Sequence, residues 1–334
     1  MAGGDRSADL SPQPPPLRKE GEHDGIFPPA LGEGLRERSL FAANSALSTQ
    51  HSALTIGEGL GERSSPNPQS AIRNPQSPQG TLLIVGGSER LDKQLAILRM
   101  WVALCDRVPG RREQVIITSA TGHPEALGGE YVRAFRQLGW PADLIHLPAL
   151  ATREEAQDGR TAELIARAAG IWMTGGDQVD LVDILQDTLA GHALLAAYAA
   201  GAVVGGTSAG ATALGDPMIA RGGGSGELRR GEVVLHPGFG LAGSGLIIDT
   251  HFGRRGRFPR LAAAVVEHPP AVGIGLDENT ALLVPPHGPA EVIGQGVAYI
   301  LEAPPGADPS APIAPPLTLY LLRAGQTWRV PRTG

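Results

Sequence analysis

From Thr81 onward, short apolar runs alternate with longer amphipathic stretches, and this alternation constrains the fold more than any other feature of the chain. The run Thr81–Val85 ends at a glycine pair, and similar runs follow at 115–118, 144–147, 171–174 and 202–205. Between these runs lie helical stretches of roughly 10–16 residues, among them 124–138 and 153–168. The pattern predicts βαβ units and a mainly parallel sheet covered by helices on both faces.

The two ends of the chain differ from this central region. Beyond Leu282 the sequence is β-rich, with apolar runs at 292–293, 297–300 and 317–321 that predict late, antiparallel strands at an edge of the same domain. Residues 1–80 are rich in Pro, Ser, Gly and charge, and contain short near-repeats. Because such a segment buries too little apolar surface to offset the entropy of ordering, it is interpreted as a disordered extension. One α/β domain is therefore expected over 81–334.

Composition excludes several classes of function. The formal charge of −6 argues against nucleic acid as the main partner. Cys105 is the single cysteine, so an internal disulfide is excluded, and no pattern of metal ligands or phosphate-binding glycines stands out. Apolar runs stay below the roughly 18 residues of a membrane span, and Met1 to Gln13 lack the apolar segment of a secretory signal. The expectation is a cytoplasmic protein that needs no metal or cofactor.

The run Gly206-Thr207-Ser208-Ala209-Gly210 follows a predicted buried strand. Small residues on both sides of a serine permit a sharp strand-to-helix turn that lifts the hydroxyl above the sheet. The N–H of Ala209 would then point to the same space as half of an oxyanion hole. An ordinary glycine-rich turn is the competing interpretation, but its place after a buried strand favours a nucleophile.

A serine nucleophile needs a base and an orienting acid. Of the nine histidines, His251 is the best candidate, because it follows the apolar run 246–249 at the carboxyl end of a predicted strand. The acid is expected from another strand end, at Asp277 or Glu278, and residue-level reasoning leaves that choice open. A histidine that only packs locally is the alternative for His251.

A second glycine pair, Gly175-Gly176, ends the strand before the nucleophile strand. Gly176 could add a backbone N–H beside the oxyanion, and Gln178 could reach the substrate. The plainer interpretation is a strand-to-helix turn with Asp177 as the helix N-cap, which is compatible with the first.

Together these motifs resemble the cyanophycinases, in the serine peptidase family that also includes aspartyl dipeptidase. The resemblance covers about Thr81 to Val330. It rests on four motifs: the pair Gly175-Gly176 with Asp177-Gln178, the serine turn 205–211, and the runs 249–261 and 273–281. The opening Val85-Gly86-Gly87 and the tract from Thr118 through Tyr131 to Gly139 are similar as well.

The resemblance implies a flavodoxin-like three-layer sandwich, similar to class I glutamine amidotransferases. It also implies a triad of Ser208, His251 and Glu278, with cyanophycin, an arginine-bearing polyaspartate, cut to β-aspartyl-arginine. The substrate pocket would be lined by Gln178, Asp249, Arg255, Arg257 and Arg260. The arginines fit carboxylates, and Asp249 and Gln178 fit an arginine or an α-amino group. Thr250 replaces the family's Gln, which changes a residue expected in the pocket.

Two other classes of function are also compatible with the sequence. An α/β-hydrolase esterase also uses a Gly-x-Ser-x-Gly turn, but its acid precedes its histidine, whereas here the best histidine comes first. A non-catalytic relative that kept the fold as a binding module is the other alternative. The sequence leaves the oligomeric state open, with a homodimer as one candidate.

Overall fold

The structure is a computed structural model, and it describes residues 80–89, 94–223, 230–311 and 314–331. The predicted disordered extension therefore lies outside the described residues, apart from Gly80. That glycine is buried against Tyr198, where an added Cβ would lie 2.4 Å from the ring, so it already belongs to the folded domain.

Among the described residues, eight strands form the central sheet in the order β14-β11-β10-β1-β5-β4-β2-β3. Five predicted strands are confirmed and run parallel, with β3 at one edge of the sheet: β1 (Thr81–Val85), β2 (Gln114–Ile117), β3 (Ile145–His146), β4 (Gly170–Met173) and β5 (Val203–Thr207). The antiparallel strands β10 (Thr280–Val284), β11 (Ala290–Gly294) and β14 (Thr327–Trp328) extend it on one side.

Helices cover both faces of this sheet, as the apolar alternation predicts. On β1, Leu82 and Ile84 join one buried cluster, whereas Leu83 and Val85 join another, because neighbouring strand residues point to opposite faces. The second cluster includes the edge-to-face pair of Trp101 and Trp172, whose ring centroids are 4.9 Å apart. The helices are α1 (Ala96–Asp106), α2 (Pro124–Gln137), α3 (Gly159–Ala166), α4 (Gln178–Leu185), α5 (Leu189–Ala199), α6 (Ala209–Thr212) and α7 (Phe258–Glu267). The result is the three-layer α/β sandwich of the flavodoxin-like class.

The late strands divide between two sheets, which the sequence did not indicate. A second sheet has the order β13-β12-β9-β8, and a separate hairpin is formed by β6 and β7. In the second sheet, β8 runs parallel to β9. Helix α7 packs closely on β9, because a Cβ on Gly273 of β9 would lie 2.8 Å from Val265 of α7. The bounds are β6 (Met218–Arg221), β7 (Val234–His236), β8 (Leu246–Asp249), β9 (Val272–Leu276), β12 (Ala298–Glu302) and β13 (Thr318–Leu322).

One predicted helix is shorter than expected. The stretch 153–168 begins as a 3-10 turn, and α3 starts at Gly159 because Asp158 acts as its N-cap. The Asp158 carboxylate accepts a hydrogen bond from the N–H of Thr161 at 2.8 Å. No helix in the described parts of the chain is long and apolar enough to cross a bilayer.

Candidate active site

Ser208 lies immediately after β5, at the carboxyl end of the central sheet. Its backbone has φ +52°, a left-handed value that non-glycine residues adopt only where the surroundings enforce it. Two backbone hydrogen bonds fix the turn: the N–H of Ser208 donates to Val85 O at 3.1 Å, and that of Gly210 donates to Thr174 O at 3.1 Å. The serine is thus held in a strained turn between the ends of β1 and β4.

The small residues of the turn are required by close backbone packing. A Cβ on Gly206 would lie 2.3 Å from the carbonyl oxygen of Gly210, so any larger residue would push the turn open. A serine flanked by glycines therefore permits this close packing, and the structure confirms the sharp strand-to-helix turn.

His251 comes from the second sheet, directly after β8 by way of Thr250. Its Nε2 lies 3.0 Å from Ser208 Oγ, within hydrogen-bond reach. Its backbone also has a left-handed φ of +49°, and its N–H donates to Gly86 O at 2.8 Å. The loop after β1 therefore anchors the histidine that faces the serine.

Glu278 completes a line of hydrogen-bonding groups, with its Oε1 2.8 Å from His251 Nδ1. Asp277, the alternative acid, points elsewhere and accepts hydrogen bonds from the N–H groups of Gly253 and Val297 at 2.8 and 3.1 Å. Both candidates directly follow the end of β9 at Leu276, as expected for an acid from a strand end. The two carboxylates diverge in a turn whose next residue, Asn279, has φ +51°.

The electrostatics of this pair suit a neutral imidazole beside an ionised carboxylate. Burial lowers the pKa of His251, and the charge of Arg255 lowers it further, although the Glu278 hydrogen bond opposes the shift. Burial acts to raise the pKa of Glu278, but hydrogen bonds from His251 and Ser88 and the charge of Arg254 outweigh it and hold that pKa below its ordinary value. His251 is thus able to accept a proton near neutral pH.

The second glycine pair lies against the serine turn. A Cβ on Gly175 would lie 3.3 Å from the Cβ of Ser208, which shows how closely the two segments approach. Asp177 caps α4, as predicted, by accepting from the N–H of Val179 at 2.7 Å. Among the described residues, the N–H groups of Gly176 and Ala209 donate to no protein acceptor, so both stay available to an oxygen bound beside Ser208.

Asp249 occupies a different position from the one expected for a substrate contact. Its carboxylate is 1% exposed and accepts from Arg260 Nε at 2.6 Å, Arg260 Nη2 at 2.5 Å and Arg257 Nη1 at 3.1 Å. Burial lowers the pKa of Arg257 to about 10, so this guanidinium remains charged at neutral pH. Asp249 is committed to holding two arginines rather than an arginine or amino group of a ligand.

Gln178 and Thr250 are also engaged inside the protein. The Gln178 amide nitrogen donates to the carbonyl oxygens of Ile219 and Ala220 on β6, at 2.7 and 2.9 Å. Thr250 is 2% exposed, and its carbonyl oxygen accepts from Arg257 Nη1 at 2.7 Å. The replacement at position 250 therefore lies beneath the surface of the site, not in an open pocket as expected.

Two arginines lie beside the pair of His251 and Glu278. Arg255, which was expected in the pocket, is exposed. Arg254 is exposed as well, and its Nε lies 3.6 Å from Glu278 Oε1. No group of three or more metal-ligating side chains occurs in the described ranges.

Sequence reasoning missed three residues near the serine. Arg254 lies in the same run as the predicted arginines, and Ser88 and Glu89 follow the glycine pair at the end of β1. Glu89 is 1% exposed, although glutamate is rarely buried, and it accepts from Thr207 Oγ1 at 2.7 Å. The rule that sites form at the carboxyl ends of parallel strands would have indicated Ser88 and Glu89.

Comparison with known proteins identifies the family of this chain. The sequence model of peptidase family S51 matches residues 82–289. The chain belongs to peptidase family S51. It is therefore a hydrolase that acts on peptides, and the α/β-hydrolase alternative is set aside.

Its relatives in this family include named cyanophycinases. The chain is 34% identical to the cyanophycinase of Trichormus variabilis over 258 residues, which cover 75% of this chain and 84% of that protein. It is 32% identical to the cyanophycinase of Synechococcus elongatus over 226 residues, covering 67% and 68%. A crystal structure of a peptidase from an acI-B1 Actinobacterium matches with a TM-score of 0.58 at 24% identity, over 76% of this chain and 98% of that one. This likeness concerns the fold alone.

Proposed function

We propose that this S51 peptidase is a serine-type exopeptidase that hydrolyses cyanophycin, or related aspartyl peptides, to β-aspartyl-arginine dipeptides through an acyl-enzyme. The observation that carries the proposal is the continuous line from Ser208 Oγ through His251 to Glu278, with contacts of 3.0 and 2.8 Å. Its chain order, serine then histidine then acid, matches the order inferred from the resemblance.

In the first half of the proposed reaction, Ser208 Oγ attacks the peptide carbonyl carbon while its proton passes to His251 Nε2. Glu278 accepts from Nδ1–H and stabilises the imidazolium that forms. The same proton then goes to the departing amine, which leaves an ester on Ser208. In the second half, water gives a proton to His251, attacks the ester carbonyl and releases the acid, and Ser208 regains its proton.

The negative charge on the carbonyl oxygen needs donors that are in place beforehand. The N–H groups of Ala209 and Gly176 are the proposed donors, because neither is used by the described part of the protein. Ala209 directly follows the nucleophile, and Gly176 follows the glycine that packs on it. Removing one such donor typically costs a factor of about 10²–10³ in kcat.

The arginines support an anionic substrate. Arg254 and Arg255 are exposed, whereas Arg257 and Arg260 share the single carboxylate of Asp249, so the group carries excess positive charge. Guanidinium groups bind carboxylates well, and a polyaspartate derivative offers a terminal one. The names of the relatives point to the same class of substrate.

One observation favours a second candidate, an isoaspartyl or aspartyl dipeptidase. Asp249 is saturated by Arg257 and Arg260, so it does not offer a carboxylate to the arginine of a β-aspartyl-arginine unit. A small aspartyl dipeptide needs no such contact. A non-catalytic binding protein remains the third alternative.

A substrate panel separates these candidates. Purified protein is given cyanophycin, β-aspartyl dipeptides with and without arginine, α-aspartyl dipeptides and simple esters, and products are identified by mass spectrometry. The proposal expects β-aspartyl-arginine from cyanophycin, with Ser208→Ala as the inactive control. Turnover of aspartyl dipeptides alone would favour the second candidate, and binding without turnover would favour the third.

A further inference from the structure

We infer that Glu89 is a positioning residue that holds the nucleophile turn through Thr207. Its carboxyl group is 1% exposed and takes two hydrogen bonds from hydroxyl groups, from Thr207 Oγ1 at 2.7 Å and from Tyr131 Oη at 2.5 Å. Burial of a carboxyl group is costly unless partners compensate it. Nothing in the proposed reaction uses this group, so its burial beside the site needs another explanation.

The backbone of Ser208, the residue after Thr207, supplies the explanation. Ser208 has φ +52°, and a strained residue of this kind persists only where its neighbours over-determine it. The N–H of Ser208 is already fixed on Val85 O, and Thr207 pairs with Val85 at the last position of the β1–β5 ladder. The Glu89 carboxyl adds a side-chain anchor on the residue just before the nucleophile.

The same loop after β1 also contacts the other two members of the line. Gly86 O accepts the N–H of His251 at 2.8 Å, and Gly87 O accepts the N–H of Asn279, the residue after Glu278, at 2.7 Å. Glu89 supplies the contact toward Ser208, so the segment 86–89 links all three positions. A loop with this set of contacts fixes the distance between serine and histidine, on which the rate of proton transfer depends.

Glutamate suits this position because a carboxyl group can accept from two hydroxyl donors at once. In Glu89→Gln, an amide NH₂ must face Thr207 or Tyr131, and that hydroxyl must turn its proton away. The side chain keeps its shape, but the donor and acceptor exchange roles in one of the two hydrogen bonds. We expect Ser208 to lose its alignment with His251 without losing the fold.

This inference rests on the proposed function, because it assumes that Ser208 is the nucleophile. The test therefore measures Ser208 reactivity apart from substrate choice, as the rate of phosphonylation by a small fluorophosphonate with mass spectrometry of the labelled peptide. Kinetic constants kcat and KM are measured on the best substrate of the panel. Failure of the wild-type protein to label at Ser208 would contradict the proposed function itself.

The variants are Glu89→Gln, Thr207→Val, Thr207→Ser and the double variant Glu89→Gln/Thr207→Val. The matched control is Glu113→Gln. Glu113 is a partly buried carboxylate that contacts His146 Nε2 at 2.5 Å, and it precedes β2 at the opposite end of the sheet. Thermal midpoints of all variants report on the fold.

Given labelling of the wild type, Glu89→Gln and Thr207→Val should each lower the phosphonylation rate and kcat by about 10- to 100-fold, with KM changed less than about twofold. Thr207→Ser, which keeps the hydroxyl, should restore most of the rate, and the double variant should be no slower than the worse single one. Wild-type labelling rates in Glu89→Gln, losses that multiply in the double variant, or equal losses in Glu113→Gln would overturn the inference.

Discussion

The imidazole of His251 packs directly on the backbone of Gly87. A Cβ atom at position 87 would lie 2.4 Å from Cε1 and 2.5 Å from Nε2 of the ring, and Gly87 has φ +102°. His251 Nε2, the ring nitrogen that faces Ser208, therefore packs against Gly87, and only glycine fits at position 87 without strain. The placement of the base depends on this contact.

Gly87→Ala should displace the ring of His251 and lower kcat by about 100-fold, since small misplacements of reacting groups cost about that much. Gly129→Ala on α2 is the control, because a Cβ there would lie 3.5 Å from Arg133 Nη1, an ordinary contact. Steady-state kinetics on both variants check the prediction. Equal activity of the two proteins would show that the ring has room to move.

The parallel centre of the sheet and the serine turn could be predicted because each depends on local sequence. An apolar run fixes a buried strand, and a glycine-flanked serine fixes a sharp turn, whatever the rest of the chain does. His251 was found by the rule that sites form at strand ends. That rule does not reveal that β8 and β9 belong to a second sheet, since strand pairing is decided by contacts between distant segments.

The divergence of Glu278 and Asp277 predicts unequal effects of matched substitutions. Glu278→Gln keeps an acceptor for His251 Nδ1 but removes the charge that stabilises the imidazolium, so kcat should fall by roughly 10²–10⁴. Asp277→Asn weakens its contacts with Gly253 and Val297 and should cost about 1 kcal/mol of stability with a mild effect on kcat. Kinetics with denaturant unfolding check both, and the reverse order of kcat losses would assign the orienting role to Asp277.

The lowered pKa of His251 predicts the pH dependence of Ser208 reactivity. Below that pKa the imidazole is protonated and accepts no proton. The rate of phosphonylation should therefore rise with pH, and the midpoint of this rise should lie below the ordinary pKa of histidine. Arg255→Gln removes a charge that lowers this pKa, so the midpoint of the rise should move to higher pH. Arg167→Gln, an exposed arginine 3.9 Å from Glu113, should leave it unchanged. A downward move in Arg255→Gln would contradict the assignment.

The buried Asp249 predicts a stability effect. Asp249→Asn leaves Arg257 and Arg260, whose side chains are only 18% and 14% exposed, without a counter-charge. Unfolding in guanidinium chloride should show a loss of about 3–5 kcal/mol. Asp308→Asn, at an exposed carboxylate that accepts hydrogen bonds from the N–H and hydroxyl of Ser310, should change stability by less than about 0.5 kcal/mol. Similar losses in both would mean that the arginines find other partners.

The strand-end rule places Glu89 beside the site, but the buried contacts of Asp249, Thr250 and Glu89 could not be predicted from sequence. Charged residues beside a predicted site look alike whether they face a ligand or each other, and only the fold decides that Asp249 lies beneath Arg257 and Arg260. Thr250 is buried by the same packing. Glu89 was overlooked because a glutamate after a strand is normally exposed, and its burial depends on Thr207 and Tyr131 from distant parts of the chain.

The most direct test of the account is a comparison of Ser208→Ala, His251→Ala and the double variant in kcat on the best substrate of the panel. If the two residues act as one unit, each single variant should lose nearly all activity above the residual rate, and the double variant should lose no more than a few-fold beyond either. Activity above a few per cent in Ser208→Ala, or losses that multiply in the double variant, would contradict the assignment of Ser208 as the nucleophile and His251 as its base.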